Sequence, residues 1–149
     1  MKLNSIHHIA IIASNYKVSK DFYTNLLGFQ IIRENYREER NSYKLDLKIG
    51  DSEIELFSMN ECPKRLSHPE ACGLRHLAFS VNNIEDVIFE LNQKGIVTEQ
   101  IRIDEYTGKK FTFFNDPDGL PLELHEWINY MKIGMIILSS PFFSVKLKK

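Results

Sequence analysis

The stretch IHHIAIIA (residues 6–13) returns later in the chain as LRHLAFSV (residues 74–81). Two short strings match across the repeat: His8-Ile9-Ala10 with His76-Leu77-Ala78, and Ile54-Glu55-Leu56 with Leu122-Glu123-Leu124. Both matches share one offset of 68 residues, from 8 to 76 and from 55 to 123. Two independent matches at a single offset indicate a duplicated supersecondary unit.

Each half of the repeat shows the same succession of strand-like and helix-like segments. Runs of apolar and β-branched residues predict strands, whereas apolar residues at helical spacing before a glycine predict a helix that ends there. The predicted elements are strand 6–13, helix 16–27 and strands near 29–33, 43–49 and 52–58, then strand 74–81, helix 84–94 and strands near 97–102, 110–115 and 120–126. This order predicts an α+β fold of two βαβββ modules.

The repeat also sets the expected domain boundaries. We expect one domain over residues 1–126, with module one at 5–58, a linker at 59–72 that carries two prolines, and module two at 73–126. The remaining residues, 127–149, form a C-terminal tail without a counterpart in the first half. We interpret this tail as a peripheral helix or strand that covers an edge, with a partner-docking segment as the alternative.

Composition limits the classes of partner. The 149 residues suit one ordinary domain, and 43% hydrophobic with 26% charged residues allows a core in a soluble chain. A net charge of -1, from 19 basic and 20 acidic residues, offers no general attraction to nucleic acid or anionic lipid. The N-terminus lacks a secretory signal, and no apolar window approaches the ~18 residues of a membrane span, so we expect a cytoplasmic protein.

Four side chains at matching positions of the repeat carry the predicted chemistry: His8, Glu55, His76 and Glu123. Strand side chains alternate between faces, so each of them points away from the apolar layer that the helices cover. Taken alone, such a histidine is usually only hydrogen-bonded and such a glutamate usually faces water. Because the pair recurs at identical spacing, we predict that both pairs converge on one divalent ion, such as Zn, Ni, Co, Mn or Fe(II).

Several motifs together resemble a known superfamily over about residues 5–126. They are HHIAI at 7–11, Leu27-Gly28-Phe29, Ile54-Glu55-Leu56, Arg75-His76-Leu77-Ala78 and Asp116-Pro117-Asp118-Gly119 ahead of Leu122-Glu123-Leu124. In this set the chain resembles the vicinal oxygen chelate superfamily, which has the glyoxalase/bleomycin resistance/dioxygenase fold. Within it, the chain looks most similar to the bacterial YaeR-like group.

The resemblance implies a metal-dependent lyase of the glyoxalase I type, whose ligand pattern is His, Glu, His, Glu. Extradiol dioxygenases use two histidines and one glutamate, so Glu55 counts against them. The implied reaction isomerises the hemithioacetal of an α-oxoaldehyde through an enediolate, as lactoylglutathione lyase does. Glu123 would shuttle the proton as general base and acid, while Glu55 assists or stays bound. The family also implies a homodimer in which each metal receives ligands from both chains.

One departure bears on the substrate. Glyoxalase I enzymes usually carry an arginine, which holds a glutathione carboxylate, four residues after the first histidine; here that position is Ile12. Ile12 thus favours a second reading, an isomerase, epimerase or oxygenase acting on another small molecule with vicinal oxygens. A module that only sequesters a small molecule is a third, disfavoured by the complete ligand set. Arg37, Arg75 and Thr112 are candidate substrate-binding residues, with a solvated surface role as the alternative for each.

Overall fold

The computed structural model describes residues 1–59 and 61–127, which form two four-stranded mixed sheets. Module one contains β1 (His8–Ala13), α1 (Tyr16–Asp21), a π-helical turn (Phe22–Leu26), β2 (Gln30–Arg37), a 3-10 turn (Glu38–Arg40), β3 (Ser42–Ile49) and β4 (Ser52–Ser58). Module two contains β5 (Leu77–Val81), α2 (Ile84–Gln93), β6 (Arg102–Ile103), β7 (Lys110–Asn115) and β8 (Pro121–Glu126). The predicted α+β fold of two βαβββ modules is confirmed.

The two sheets have the same topology. Their strand orders are β1-β4-β3-β2 and β5-β8-β7-β6, and in each the first strand runs parallel to the last while the other pairings are antiparallel. The histidine-bearing strand of each module therefore lies directly beside the glutamate-bearing one. This adjacency brings each His close to the Glu of its own half.

Local sequence signals explain where the helices begin and end. Asn15 accepts a hydrogen bond from the backbone N–H of Val18, and Asn83 does the same for residues 85 and 86, as N-caps do. Gly28 and Gly95 follow the helical segments with φ of +79° and +78°. Glycine adopts this left-handed backbone without the steric cost that other residues incur, so the predicted helix ends are confirmed.

Four predicted strands have bounds in the structure that differ by two residues or more. β1 begins at His8 rather than at residue 6, and β5 begins at Leu77 rather than at residue 74. β2 extends to Arg37 rather than 33, and the strand predicted near 97–102 is reduced to Arg102–Ile103. Before this short strand, the Glu99 N–H still donates to the carbonyl of Phe113. The Glu99 carbonyl, however, accepts a hydrogen bond from the hydroxyl of Thr112. A side chain thus replaces a ladder hydrogen bond there, and regular pairing is lost.

The modules share a single core on the helix side of both sheets. The rings of Phe22 and Phe114 lie 6.5 Å apart, and the buried hydroxyl of Tyr23 donates to Asp116 Oδ2 at 2.9 Å. The sheet residues that face this core are buried and come from both modules: Leu45, Leu47, Ile54, Leu56, Leu122 and Leu124. Since side chains alternate, Glu55 and Glu123 lie on the opposite faces of their sheets.

The end of β8 marks the limit of the described chain. The N–H of Trp127 donates to the carbonyl of Val81 at 2.7 Å, and the rest of the predicted tail, 128–149, lies outside the described residues. Over residues 1–59 and 61–127, no helix has the length and apolar character needed to cross a membrane.

Candidate functional site

The first His–Glu pair lies on the outer face of module one. His8 on β1 and Glu55 on β4 approach with Nε2 and Oε2 3.7 Å apart. Ala10, the partner of Glu55 in the register, is exposed and too small to cover the carboxylate. The two side chains are therefore open to a ligand from the solvent side of the sheet.

A charged network surrounds Glu55. The ammonium of Lys44 lies 2.7 Å from both Glu55 Oε1 and Asp46 Oδ1, and Arg33 Nε donates to Asp46 Oδ2 at 2.6 Å. Asp46 is fully buried, which by itself raises its pKa, but the hydrogen bonds from Lys44 and Arg33 outweigh burial and hold that pKa below its usual value. Burial opposes the charge of Lys44 in the same way, yet its two carboxylate partners raise its pKa.

An aromatic ring extends this network toward Arg37. Phe57 lies two residues beyond Glu55 on β4; the guanidinium carbon of Arg37 is 4.8 Å from its ring centroid and Lys44 Nζ is 5.7 Å from it. Arg37 Nε and Nη2 also donate to the hydroxyl of the buried Ser42, at 3.1 and 2.7 Å. Arg37 is thus held against the sheet on the face that carries Glu55.

The second pair has different neighbours. His76, one residue before β5, places Nε2 2.9 Å from Glu123 Oε2, and His125 places Nδ1 3.0 Å from Glu123 Oε1. Phe113 is the cross-strand partner of Glu123, and its ring meets that of His76 edge to face at 5.3 Å. Glu123 is 9% exposed, and its neighbours include these two imidazoles and the ring of Phe113.

A cavity of about 990 Å³ opens over the second pair. On the sheet side it is lined by His76, Phe111, Phe113 and Glu123, and Arg102 lies over both phenylalanine rings at 4.9 and 5.2 Å. The other wall comes from the connecting segment, including Arg65, Leu66 and His68. The volume is at the upper end of the range for small-molecule pockets, about 300–1,000 Å³.

The predicted convergence of four ligands on one ion is not met within a single chain. Across residues 1–59 and 61–127, no three His, Cys, Asp or Glu side chains are close enough together to hold a metal. The physical reason is the shared core: the modules pack through the inner faces of their sheets, so the two outer faces do not meet. The chain instead presents two half-sites, His8–Glu55 and His76–Glu123.

The donor sets of these half-sites fit a divalent ion. Imidazole nitrogens and carboxylate oxygens suit Zn²⁺ and the other first-row divalent ions. Two donors bound at about 2.1 Å to one ion lie about 3–3.5 Å apart. The observed separations of 3.7 Å and 2.9 Å lie just outside this range, so small side-chain shifts would let each pair bind one ion.

The three candidate substrate-binding residues have different placements. Arg37 lies on the face of the first half-site, and Arg75 lines the cavity of the second, where its exposed side chain pairs with Glu70 at 2.7 Å. Thr112 is fully buried, and its hydroxyl donates to the Glu99 carbonyl at 2.8 Å. It lies on the core side of β7, between Phe111 and Phe113, and so does not reach the cavity; its candidacy is withdrawn.

Sequence reasoning missed the Arg33–Asp46 ion pair and the wall contributed by the connecting segment. A signal for the first is present, because Lys44, Asp46 and Lys48 alternate with Leu45 and Leu47 along β3. That alternation places an acid and two bases on the outer face. For the connecting segment no comparable signal exists, since a loop path follows from tertiary packing and not from local periodicity.

The fold and the paired positions agree with the family comparison. Residues 5–124 match the model of the Glyoxalase/Bleomycin resistance protein/Dioxygenase superfamily. The chain belongs to this superfamily, and its relatives support placement in the YaeR-like group. It is 61% identical over 127 residues to the uncharacterized protein YwkD of Bacillus subtilis (85% of this chain, 99% of YwkD) and 58% identical over 125 residues to YaeR of Escherichia coli (83% and 97%).

Solved structures and distant relatives widen this comparison. The crystal structure of the glyoxalase family protein from Enterococcus faecalis is 60% identical, with a TM-score of 0.80 over 85% of this chain and 100% of that one. At lower identity the chain matches human mitochondrial methylmalonyl-CoA epimerase (26%; 83% of this chain, 74% of the epimerase) and the metallothiol transferase FosB of Staphylococcus epidermidis (27%; 84% and 83%). The superfamily thus includes enzymes of different reaction types.

Proposed function

We propose that this protein is a metal-dependent enzyme of the glyoxalase I type, which moves a proton between the carbons of a substrate held through two vicinal oxygens. The observation that carries the proposal is the pair of half-sites, His8–Glu55 and His76–Glu123, at matching positions of the two modules. A divalent ion held by these four side chains would supply Lewis-acid polarisation of the substrate oxygens.

The complete site would form in a homodimer. Each half-site offers two donors, whereas a catalytic metal site needs at least three protein ligands. A two-fold axis can set module one of one chain against module two of its partner, and symmetry then creates two equivalent sites. Superfamily membership supports such pairing, and the shared core leaves the outer sheet faces free to meet a second copy.

Different surroundings of the two glutamates support different roles. The Lys44 ammonium, itself held by buried Asp46, anchors Glu55 from one side at 2.7 Å. Glu123 has no lysine or arginine partner in the described part of the chain, and its contacts are the imidazoles of His76 and His125. We therefore assign the general base and acid to Glu123 and a holding role to Glu55.

Ile12 supports a second candidate, a related isomerase or epimerase whose substrate is not a glutathione adduct. Ile12 is 52% exposed on the face that carries His8 and Ala10, so its apolar side chain meets solvent where glyoxalase I enzymes present an arginine. A glutathione carboxylate would find no positive partner at this position. The proton-transfer chemistry is common to both candidates, while the substrate separates them.

The test begins with metal-free protein loaded separately with Ni²⁺, Co²⁺, Zn²⁺ and Mn²⁺. Each form is assayed with methylglyoxal and glutathione by following thioester formation. Turnover that Glu123→Gln removes supports the glyoxalase I reading, and stoichiometric metal binding without turnover favours the second candidate. Absence of binding for every ion contradicts both candidates.

The matched control for this test is Glu126→Gln. Glu126 lies three residues after Glu123 on β8 and on the other face of the sheet. The variant therefore removes one carboxylate from β8 without changing the half-site. Turnover in this variant should remain at the wild-type level.

A further inference from the structure

The outer face of module one carries a positive charge that no neighbouring acid neutralises. Along β2, β3 and β4 this face carries four cations, Arg33, Arg37, Lys44 and Lys48, against three carboxylates, Asp46, Glu53 and Glu55. Lys48 faces Glu53 across β3 and β4. Arg33 and Lys44 are paired with the other two carboxylates. The excess charge belongs to Arg37, which pairs with no Asp or Glu among the residues that the structure describes.

Arg37 is nevertheless held in place. Two of its N–H groups donate to the hydroxyl of buried Ser42, and its guanidinium carbon lies 4.8 Å from the centroid of the Phe57 ring. A guanidinium has five N–H donors, so three remain available. Such a pre-oriented group suits carboxylate or phosphate, because less side-chain entropy is lost when the anion binds.

The position of Arg37 relative to the half-site makes this charge relevant to substrate. Phe57 is two residues from Glu55 on the same face of β4, and Lys44 bridges the two, with its ammonium 5.7 Å from the Phe57 ring centroid and 2.7 Å from Glu55 Oε1. A molecule bound at Glu55 would therefore lie close to two cationic side chains, Lys44 and Arg37. By contrast, Ile12, which pairs with Phe57 across β1 and β4, offers no charge.

We propose that Arg37, with Lys44 beside it, forms an anion-binding subsite next to the His8–Glu55 half-site, so that the substrate carries an oxyanion close to its vicinal oxygens. This inference rests on the proposed function for the location of those oxygens. The shared chemistry is that of a carboxylate or a phosphate monoester, and the arms of the test separate the two.

The test compares three small probes by isothermal titration calorimetry on Zn²⁺-loaded protein: dihydroxyacetone, hydroxypyruvate and dihydroxyacetone phosphate. All three carry a hydroxyl beside a carbonyl, and the last two add a carboxylate or a phosphate. We expect at least one anionic probe to bind about tenfold tighter than dihydroxyacetone, as one charge-assisted contact supplies. The tighter of the two anions identifies the oxyanion; equal affinities for all three probes overturn the proposal.

Two variants and their matched controls assign the effect to these side chains. Arg37→Gln should remove most of the anionic advantage, and Lys44→Gln should reduce it further. The control for Arg37 is Arg40→Gln, which changes an exposed arginine three residues later in the chain. The control for Lys44 is Lys48→Gln, which changes an exposed lysine on the same strand, β3. Both controls should keep the anionic advantage. An advantage that survives Arg37→Gln contradicts the subsite.

A metal-free arm separates this inference from the proposed function. Metal uptake is measured on the same samples, so failure to bind any ion counts against the proposed function alone. Metal-free protein is then titrated with inorganic phosphate. Weaker binding by Arg37→Gln than by Arg40→Gln supports the subsite, whereas identical dissociation constants for the two variants overturn it.

Discussion

The two half-sites contain the same residue types, one His and one Glu, but have opposite surroundings. In the sheet register Glu55 faces Asp46 and Glu123 faces Phe113. Next to these pairs, Lys44 faces Phe57 in module one, and Phe111 faces His125 in module two. Asp46 and Lys44 of module one thus correspond to Phe113 and Phe111 of module two. Phe57 of module one corresponds to His125 of module two.

Under the proposed function, this difference suggests that each copy of the duplicated unit has its own role in the reaction. An ammonium at 2.7 Å holds the Glu55 carboxylate in place. Glu123 has imidazole partners within a cavity of about 990 Å³, with space for a substrate beside it. The proposed function therefore assigns metal holding to module one and proton exchange to module two.

The largest expected effect tests this division directly. Glu123→Gln should lower kcat by about 10²–10⁴-fold at saturating metal, the usual contribution of a positioned general base. Glu55→Gln should instead weaken metal affinity and leave most of kcat at saturating metal, because its proposed role is to hold. The measurements are metal titrations and steady-state kinetics on both variants; equal losses of kcat would show that the two glutamates share one role.

A smaller effect is expected from making module two resemble module one. His125→Phe places at 125 the residue that occupies the corresponding position 57, and it removes the 3.0 Å contact to Glu123. Loss of such a supporting contact typically costs about 10–100-fold in activity or metal affinity. Kinetics and metal titration on this variant and on the reverse change, Phe57→His, check the prediction. Unchanged values in His125→Phe would remove His125 from the site.

The charged network of module one predicts a stability effect. Lys44→Met leaves the fully buried Asp46 with Arg33 as its remaining cation, and we expect the free energy of unfolding to fall by about 1–3 kcal/mol. Lys48→Met, on the exposed end of the same strand, should change it by no more than about 0.5 kcal/mol. Urea unfolding measures both, and equal stabilities of the two variants would contradict the network.

The smallest expected effect is a change of stability with pH. It comes from Asp116, whose hydrogen bond with Tyr23 joins the two modules. Burial raises the pKa of Asp116, so the native state binds its proton more tightly than the unfolded state, in which the pKa is near 3.8. Its stability contribution is present below that value and is lost as pH rises through the folded-state pKa. The free energy of unfolding of wild type relative to Asp116→Asn should therefore fall with rising pH in this window. Urea unfolding of both proteins at a series of pH values measures this difference. A difference that stays constant or rises with pH would contradict the raised pKa of Asp116.

The sequence predicts the strands and helices of both modules well because the hydrophobic periodicity of each element is visible in its own residues. The strings around His8, Glu55, His76 and Glu123 predicted both the fold and the adjacency within each pair. Gly28 and Gly95 correctly marked the helix ends. These features depend on neighbouring residues in the chain or on a repeat, and both are visible in the sequence.

The remaining features depend on packing between elements that are distant in sequence. Thr112 lies on the core side because of the pairing of β7 with β8, which composition does not specify. Separation of the two half-sites follows from contacts such as Tyr23 with Asp116, 93 residues apart. No periodic pattern indicates how two modules will pack, so the separation of the half-sites within one chain did not follow from periodicity, and only the family resemblance implied ligands from two chains.

The most direct test of the central claim mixes two inactive variants. His8→Ala/Glu55→Ala lacks the first half-site and His76→Ala/Glu123→Ala lacks the second, so in a shared-site dimer neither homodimer has a complete site. After unfolding and refolding together, half of the dimers are mixed and each regains one complete site, which restores about a quarter of the wild-type high-affinity metal capacity. Metal binding by the mixture no greater than that of the separate variants would contradict the claim that two chains share each site.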